Sequence, residues 1–225
     1  MRFQIMSDIH TEFHRDHGKY FCQTIPVLSP VLVIAGDFAI HKHVFDNISI
    51  LSKRFEHVIY VHGNHEYYGT IRGDIHNTMK KLMKKFSNFY WLNKDVVEIN
   101  GQRFVGATMW FKEDPNNIFY KNRLNDFTCI PAFQKWNYEE NRKSVDFFNK
   151  EVRAGDVVIT HHAPCTLSIS PEYKGDPINR FYVCDMSETI REKKPSYWIH
   201  GHIHDAVSYP LYDLSLIHIS EPTRP

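Results

Sequence analysis

The apolar positions of this chain fall into two rhythms. Short apolar runs stand at 3–6 (broken by Gln4), 31–35, 58–61, 157–159 and 197–199, and each is followed within two residues by Asp, Gly or His. Runs of this length closed by polar residues read as strands. Between them the spacing turns helical. Phe45, Ile48, Leu51 and Phe55 mark one face of a helix over 43–55, and Ile75, Met79, Leu82, Met83 and Phe86 mark one over 71–86. Further helices are predicted over 136–152 and 186–193. The segment 88–109 holds three strand-like pieces, 88–92, 95–99 and 102–109, with Asn100-Gly101 as a hairpin turn, and predicts a meander. Two polar stretches, 111–134 and 163–181, have neither rhythm. Loops of that length in a compact domain are commonly functional, and the first is expected to cover the edge where the strands end.

Strands alternating with helices predict an α/β fold, and 225 residues suit one domain, placed over 1–213. Composition narrows the function. A net charge of +1 gives no global field for nucleic acid. Lys80, Lys81, Lys84 and Lys85 share the 71–86 helix and read as a solvated face. Cys22, Cys129, Cys165 and Cys184 are scattered without C-x-x-C spacing and read as reduced thiols. With no secretory signal and no apolar run near ~18 residues, the expected location is the cytoplasm, with no membrane partner.

Five short motifs follow the five strands: Asp8-Ile9-His10, Gly36-Asp37, Gly63-Asn64-His65-Glu66, His161-His162 and Gly201-His202-Ile203-His204. Strand ends of an open α/β sheet share one edge, where such folds place their sites. Asp, His and Asn gathered there make a nitrogen and oxygen cage for metal ions, suited to Mn, Fe or Zn. Of the other histidines, His14, His17, His41, His43, His57 and His76 read as surface, with His41 and His43 the two that could reach a cleft. His62 and His200 point away from their motif neighbours and read as core.

The ordered set resembles the calcineurin-like metallophosphoesterase superfamily, in particular its small single-domain members of bacterial and phage type, over 1–213. The resemblance implies an α/β sandwich of two central sheets flanked by helices. It implies hydrolysis of phosphoesters at a binuclear metal centre by a metal-bridging hydroxide. Asp37 would bridge the ions; Asp8, His10 and His204 would complete one set; Asn64, His161 and His202 would complete the other. His65 would assist the leaving group or bind the phosphate, with Glu66 either orienting it or packing behind the ligands. Two divalent ions are the implied cofactors, with Mn²⁺ favoured over Fe or Zn. The expected substrate is a small phosphomonoester or phosphodiester. The alternatives are an inactive metal-binding scaffold and a nuclease of the same fold. Candidate substrate contacts are Arg123, Asn125, Asp126, Asn179, Arg180 and His162, with Tyr67 and Tyr68 as possible walls.

The last twelve residues, LSLIHISEPTRP, back-translate into a run resembling a sequencing adapter. They are therefore expected to be a non-native read-through tail over 214–225. The second sheet would then lack its last strand, and His218 would carry no functional weight. The other reading is a genuine strand, since Leu214, Leu216 and Ile217 flank Ser215 in a near-alternating pattern.

Overall fold

The computed structural model describes residues 1–212 and the backbone of Leu214–His218; Asp213 and 219–225 lie outside the described residues. Along the chain run β1 (Gln4–Met6), α1 (Lys19–Thr24), β2 (Val31–Ala35), α2 (His41–Leu51), β3 (His57–Val61), α3 (Arg72–Lys85) and β4 (Phe89–Trp91). Then follow β5 (Asp95–Ile99), β6 (Gln102–Gly106), α4 (Asn117–Tyr120), α5 (Asp126–Cys129), α6 (Asn137–Glu151) and β7 (Val157–Ile159). Last come α7 (Ser187–Lys193), β8 (Tyr197–His200), β9 (Val207–Leu211) and β10 (Leu214–His218).

Two sheets form. The first is parallel, in the order β1-β2-β3-β4. The second runs β5-β6-β7-β8-β10-β9, parallel through β6, β7, β8 and β10 and antiparallel at both edges. Residue alternation assigns the layers. Val31, Val33 and Ala35 of β2 pack with Phe104, Val157, Ile159 and Ile199 of the second sheet, forming the core between sheets. Leu32 and Ile34 face the other way, onto Val44, Ile48 and Leu51 of α2 and Ile75, Met79 and Leu82 of α3. A third cluster packs Phe148 of α6 and Ile190 of α7 against Val158 and Trp198. Strands covered on both faces are continuously apolar, which is why they stand out in the sequence.

Three expectations change. The piece at 88–92 is not part of a meander. It becomes β4, the parallel edge partner of β3, pairing Phe89–Trp91 with Val58–Tyr60. The chain crosses between sheets at Asn93-Lys94, so only β5 and β6 make the hairpin, and nothing in local periodicity distinguishes a parallel edge strand from an antiparallel one. The strand expected over 102–109 stops at Gly106, where a Cβ would lie 2.8 Å from Leu92 and 2.9 Å from Val61. Finally, the position expected to lack its strand is occupied, between β8 and the edge strand β9. The backbone of β10 pairs parallel to β8 and antiparallel to β9. A ladder needs only an extended segment, which Leu214–His218 supplies whatever its origin. The remainder of the expected tail, 219–225, lies outside the described residues.

The core beneath the β3 turn is polar as well as apolar. His76 of α3 is hydrogen-bonded through Nε2 to the Tyr67 hydroxyl at 3.2 Å and sits beside Trp91. Burial, with help from Arg72 and Lys94, pushes its pKa down from 6.5 to about 4. The unfolded chain therefore binds the extra proton first. The stability from a neutral His76 is complete above about pH 6.5 and is lost as pH falls toward about 4. His76→Gln should flatten this part of the pH dependence of the urea midpoint; an unchanged slope would assign it to other groups.

Candidate metal centre

The ends of β1, β2, β3, β7 and β8 carry the five motifs to one edge of the two sheets. Backbone bonds lace these ends together: Asp8 N–H to Gly36 O at 3.1 Å, His10 N–H to Asp37 O at 3.0 Å, and Gly201 N–H to His161 O at 2.9 Å. The chain turns sharply as it leaves the strands. Asp8, His10, Asp37, His202 and His204 all have left-handed backbone, with φ of 55°, 48°, 51°, 71° and 62°. Such angles are uncommon outside glycine and gather at functional sites.

Three groups of donors result, of which one, His10, Glu12 and His65, is already joined by the hydrogen bonds of Glu12 to both rings. Asp8, His10, Asp37 and His204 each bring one ligand atom within 4.8 Å of the others, and so do Asp37, His161 and His202. Asp37 belongs to both. Asn64 joins the second group, its Oδ1 lying 3.0 Å from His161 Nε2. Hydrogen bonds on the outer side of the rings set which nitrogen faces inward. His161 Nδ1–H donates to Ala35 O at 2.9 Å, which turns its Nε2 to Asn64 Oδ1 and, at 3.4 Å, to Asp37 Oδ2; burial would lower this ring, yet Asp37 pushes its pKa up to about 10, so a proton holds the place on Nε2 that a cation would take. His10 Nδ1 faces Glu12 Oε1 at 3.3 Å, which turns its Nε2 toward His204 Nε2 at 3.3 Å. His202 Nε2 is buried with no hydrogen-bond partner. The unpartnered His202 Nε2 and the other inward-facing ring nitrogens and carboxylate oxygens are atoms that a cation would satisfy in place of protons. The donor set thus fits two small cations that take nitrogen and oxygen ligands, with Asp37 shared between them.

Asp37 is 1% exposed. Burial alone would raise its pKa, but the His161 and His65 rings outweigh burial and hold the carboxyl well below the usual range. His65 N–H fixes Asp37 Oδ1 at 2.8 Å. Gly63 must be glycine here, since a Cβ would fall 2.1 Å from that oxygen.

Glu66 does not touch His65. It is fully buried and collects four donors: the backbone N–H groups of Asp37 (3.2 Å), Phe38 (2.9 Å) and Gly63 (2.7 Å), and the Tyr60 hydroxyl (2.6 Å). It ties the β2 turn to the β3 turn and so sets where Asp37 stands. The carboxylate that does hold His65 is Glu12, which sequence reasoning missed. Its Oε1 lies 2.7 Å from His65 Nδ1 as well as 3.3 Å from His10 Nδ1. Burial would raise Glu12, yet the His10 and His65 bonds bring it down to about 2. Burial would lower His65, yet Asp37 and Glu12 push it up to about 9. The available signal was position: Glu12 stands two residues beyond His10, in the 3-10 turn Thr11–Phe13 that continues the first motif.

A cleft of about 450 Å³ opens beside the cluster, bordered by Asp37, Asn64, His65, His202 and His204. Among the expected substrate contacts, Arg123, Asn125 and Asn179 line it, as does Tyr68. Three expected contacts do not. Asp126 is fully buried beneath Asn64, accepting from its Nδ2 and from the Tyr68 hydroxyl, both at 2.8 Å; it aims the amide oxygen at His161. Burial pushes its pKa up to about 6. Arg180 turns away to Asp114 and the Tyr120 ring. His162 lies buried behind His202, between Trp110 and Phe111, where burial brings it down to about 3. Tyr67 is core, bonded to His62. His41 and His43 also miss the cleft: His41 bonds Thr78, and His43 stacks on His17.

The sequence profile of the calcineurin-like phosphoesterase family matches residues 1–206. The uncharacterised protein L509 of Acanthamoeba polyphaga mimivirus is 26% identical over 193 residues, covering 72% of this chain and 66% of that protein, so the match spans just under two thirds of the relative. Among solved structures, the phosphopantetheinyl hydrolase of Mycobacterium tuberculosis superposes with a TM-score of 0.71 at 16% identity, over 97% of this chain and 89% of that one. A dimetal phosphatase from Danio rerio superposes with a TM-score of 0.55 at 12% identity, over 97% and 86% of the two chains. At these identities the structural likeness is one of fold. No described helix is long and apolar enough to cross a membrane.

Glu66→Ala would leave three backbone N–H groups and the Tyr60 hydroxyl buried without an acceptor. At about 1–3 kcal/mol for each unsatisfied group, the loss of stability should reach at least about 3 kcal/mol. Urea unfolding measures it, and a loss under about 1 kcal/mol would remove Glu66 as the brace of the site.

Proposed function

The chain belongs to the calcineurin-like phosphoesterase family, and from that premise we propose that it hydrolyses the phosphoester bond of a small monoester or diester with two divalent ions, Mn²⁺ favoured. The observation that carries this reading is the sharing of Asp37 between two groups of metal-type donors, with His65 beside it on the cleft. Asp8, His10, Asp37 and His204 would hold one ion; Asp37, Asn64, His161 and His202 would hold the other. When bound, such a pair of ions supplies an activated water and neutralises phosphate charge.

The chain's own residues supply the rest. His65 is the side chain of the site suited to proton transfer. Glu12 engages its Nδ1 at 2.7 Å, and Asp37 Oδ2 lies 3.9 Å from its Nε2. Asp37 and Glu12 both favour the charged form of the ring and push its pKa up to about 9, and ions held on Asp37 would draw it back down toward neutrality. Its Nε2–H can pass a proton to the oxygen leaving phosphorus, after which the neutral ring takes one back from solvent. Glu12 keeps the ring in one orientation and favours its charged form. Asp126 does the corresponding work for Asn64, holding the amide nitrogen so that the oxygen faces the ion.

Hydrolysis of a chromogenic phosphomonoester and its matching diester, with Mn²⁺ added, tests this reading. Asp37→Asn should lose activity by at least about 10³-fold, since both ions lose a ligand. Activity untouched by Asp37→Asn or by a chelator would overturn it. His65→Ala should lower kcat by about 10²–10⁴-fold while leaving bound metal unchanged. Glu12→Ala should lower kcat by about 10–100-fold, the usual weight of a group that orients a working side chain, and a wild-type rate would sever Glu12 from the mechanism.

A further inference from the structure

The cleft joins two chemistries. One is the donor cluster. The other comes from the two long loops and the residue that follows the second, which contribute Leu124, Ile169, Tyr173, Ile178 and Tyr182 to the lining beside the neutral polar Asn125, Ser170 and Asn179. Tyr182 is fixed in place by stacking on His202, centroid to centroid 4.6 Å. Tyr173 stands at the mouth, 53% exposed, a large ring left facing solvent beside the cleft. A volume of about 450 Å³ suits a small organic molecule and not a polymer.

Charge tells the same story. Among the described lining residues Arg123 is the one Lys or Arg side chain. Both of its terminal nitrogens donate to Asp176, Nη1 to Oδ1 and Nη2 to Oδ2, each at 2.9 Å. Asp176 in turn accepts from Ile178 N–H at 2.9 Å, which anchors the pair to the second loop. The fork geometry uses the face of the guanidinium that would otherwise meet a carboxylate or phosphate. A substrate carrying a second anionic group would meet apolar and neutral polar walls and an arginine whose charge is already matched.

Resting on the phosphoester reading above, we propose that this cleft selects phosphoesters of an uncharged aromatic or apolar group, held against Tyr173, Tyr182 and Ile178, and that the Arg123–Asp176 pair disfavours esters bearing a further negative charge. Tyr173 and Asp176 are specificity residues on this account. Neither takes part in breaking the bond.

Three esters with the same kind of primary alkoxide leaving group separate binding from chemistry: ethyl, 2-phenylethyl and 2-carboxyethyl phosphate. Each is offered as the monoester and as the methyl diester, with release of the alcohol followed. The wild-type protein should favour 2-phenylethyl over ethyl by about tenfold in kcat/KM, and 2-carboxyethyl should fall below ethyl. Tyr173→Ala should cut the phenyl-to-ethyl ratio by at least about threefold; because it is a ratio, partial misfolding cancels. Asp176→Asn frees Arg123 and should raise 2-carboxyethyl relative to ethyl. Hydrolysis of all three esters with a phenyl-to-ethyl ratio near one, or a ratio unmoved by Tyr173→Ala, would overturn this proposal alone. Hydrolysis of none would strike the phosphoester reading itself, and this proposal with it.

Discussion

The structure depends on keeping one charged carboxylate, that of Asp37, out of water. An ionised group in the interior is strongly unfavourable unless opposite charge and hydrogen bonds surround it. His161 Nε2 at 3.4 Å, His10 Nε2 at 3.8 Å and His65 Nε2 at 3.9 Å all face its Oδ2, and His65 N–H occupies its Oδ1. These groups come from three other strand ends. Satisfying Asp37 therefore forces β1, β2, β3 and β7 to finish at a common edge. Glu66 works from beneath, where its four donors join the backbone of the β2 turn to that of the β3 turn. Burial raises the pKa of Glu66, while Asp37 is driven the other way by its histidines. Two adjacent buried carboxyls are thus separated in character by their surroundings.

That constraint explains the strained backbone. An Asp or His directly past a strand end can aim back over the sheet edge only if the chain reverses at once, and a left-handed residue does this within one position. Asp8, His10, Asp37, His202 and His204 all pay conformationally for reach, and the ladder of bonds among Asp8, Gly36, His10 and Asp37 holds them there. Gly36, with φ of 89°, belongs to the same arrangement: a Cβ there would lie 2.5 Å from His161 Nδ1. The rigid edge positions the donors, and the two long loops shape what stands against them.

The five motif-bearing strands, the helices α2, α3, α6 and α7 and the donor set were legible because each announces itself locally, whereas the short α1, α4 and α5 and the strand β9 were not read. A strand covered on both faces is an unbroken apolar run, and the polar residues after it have no structural reason to recur in order at five strand ends. What was not legible depends on distance in the chain. Glu12 meets His65 across 53 positions and Asp126 meets Asn64 across 62, so neither pairing leaves a periodic trace. Of the two roles open to Glu66, orienting His65 or packing behind the ligands, the sequence could not choose, because its partners are the backbone of another strand's turn and a tyrosine of β3. Arg180 and His162 looked available because they are polar residues near the motifs; Asp114 and the Trp110–Phe111 packing claim them instead. The parallel edge role of β4 was invisible for a simpler reason, since a three-residue strand has no phase to read.

The central claim is that Asp37 joins two cation sites into one. Calorimetric titration of the chelator-treated protein with Mn²⁺ tests it most directly. The account predicts two ions bound per chain, with loss of stoichiometric binding at both sites in Asp37→Asn. A single ion per chain in the wild-type protein, or two ions bound undiminished in Asp37→Asn, would contradict it.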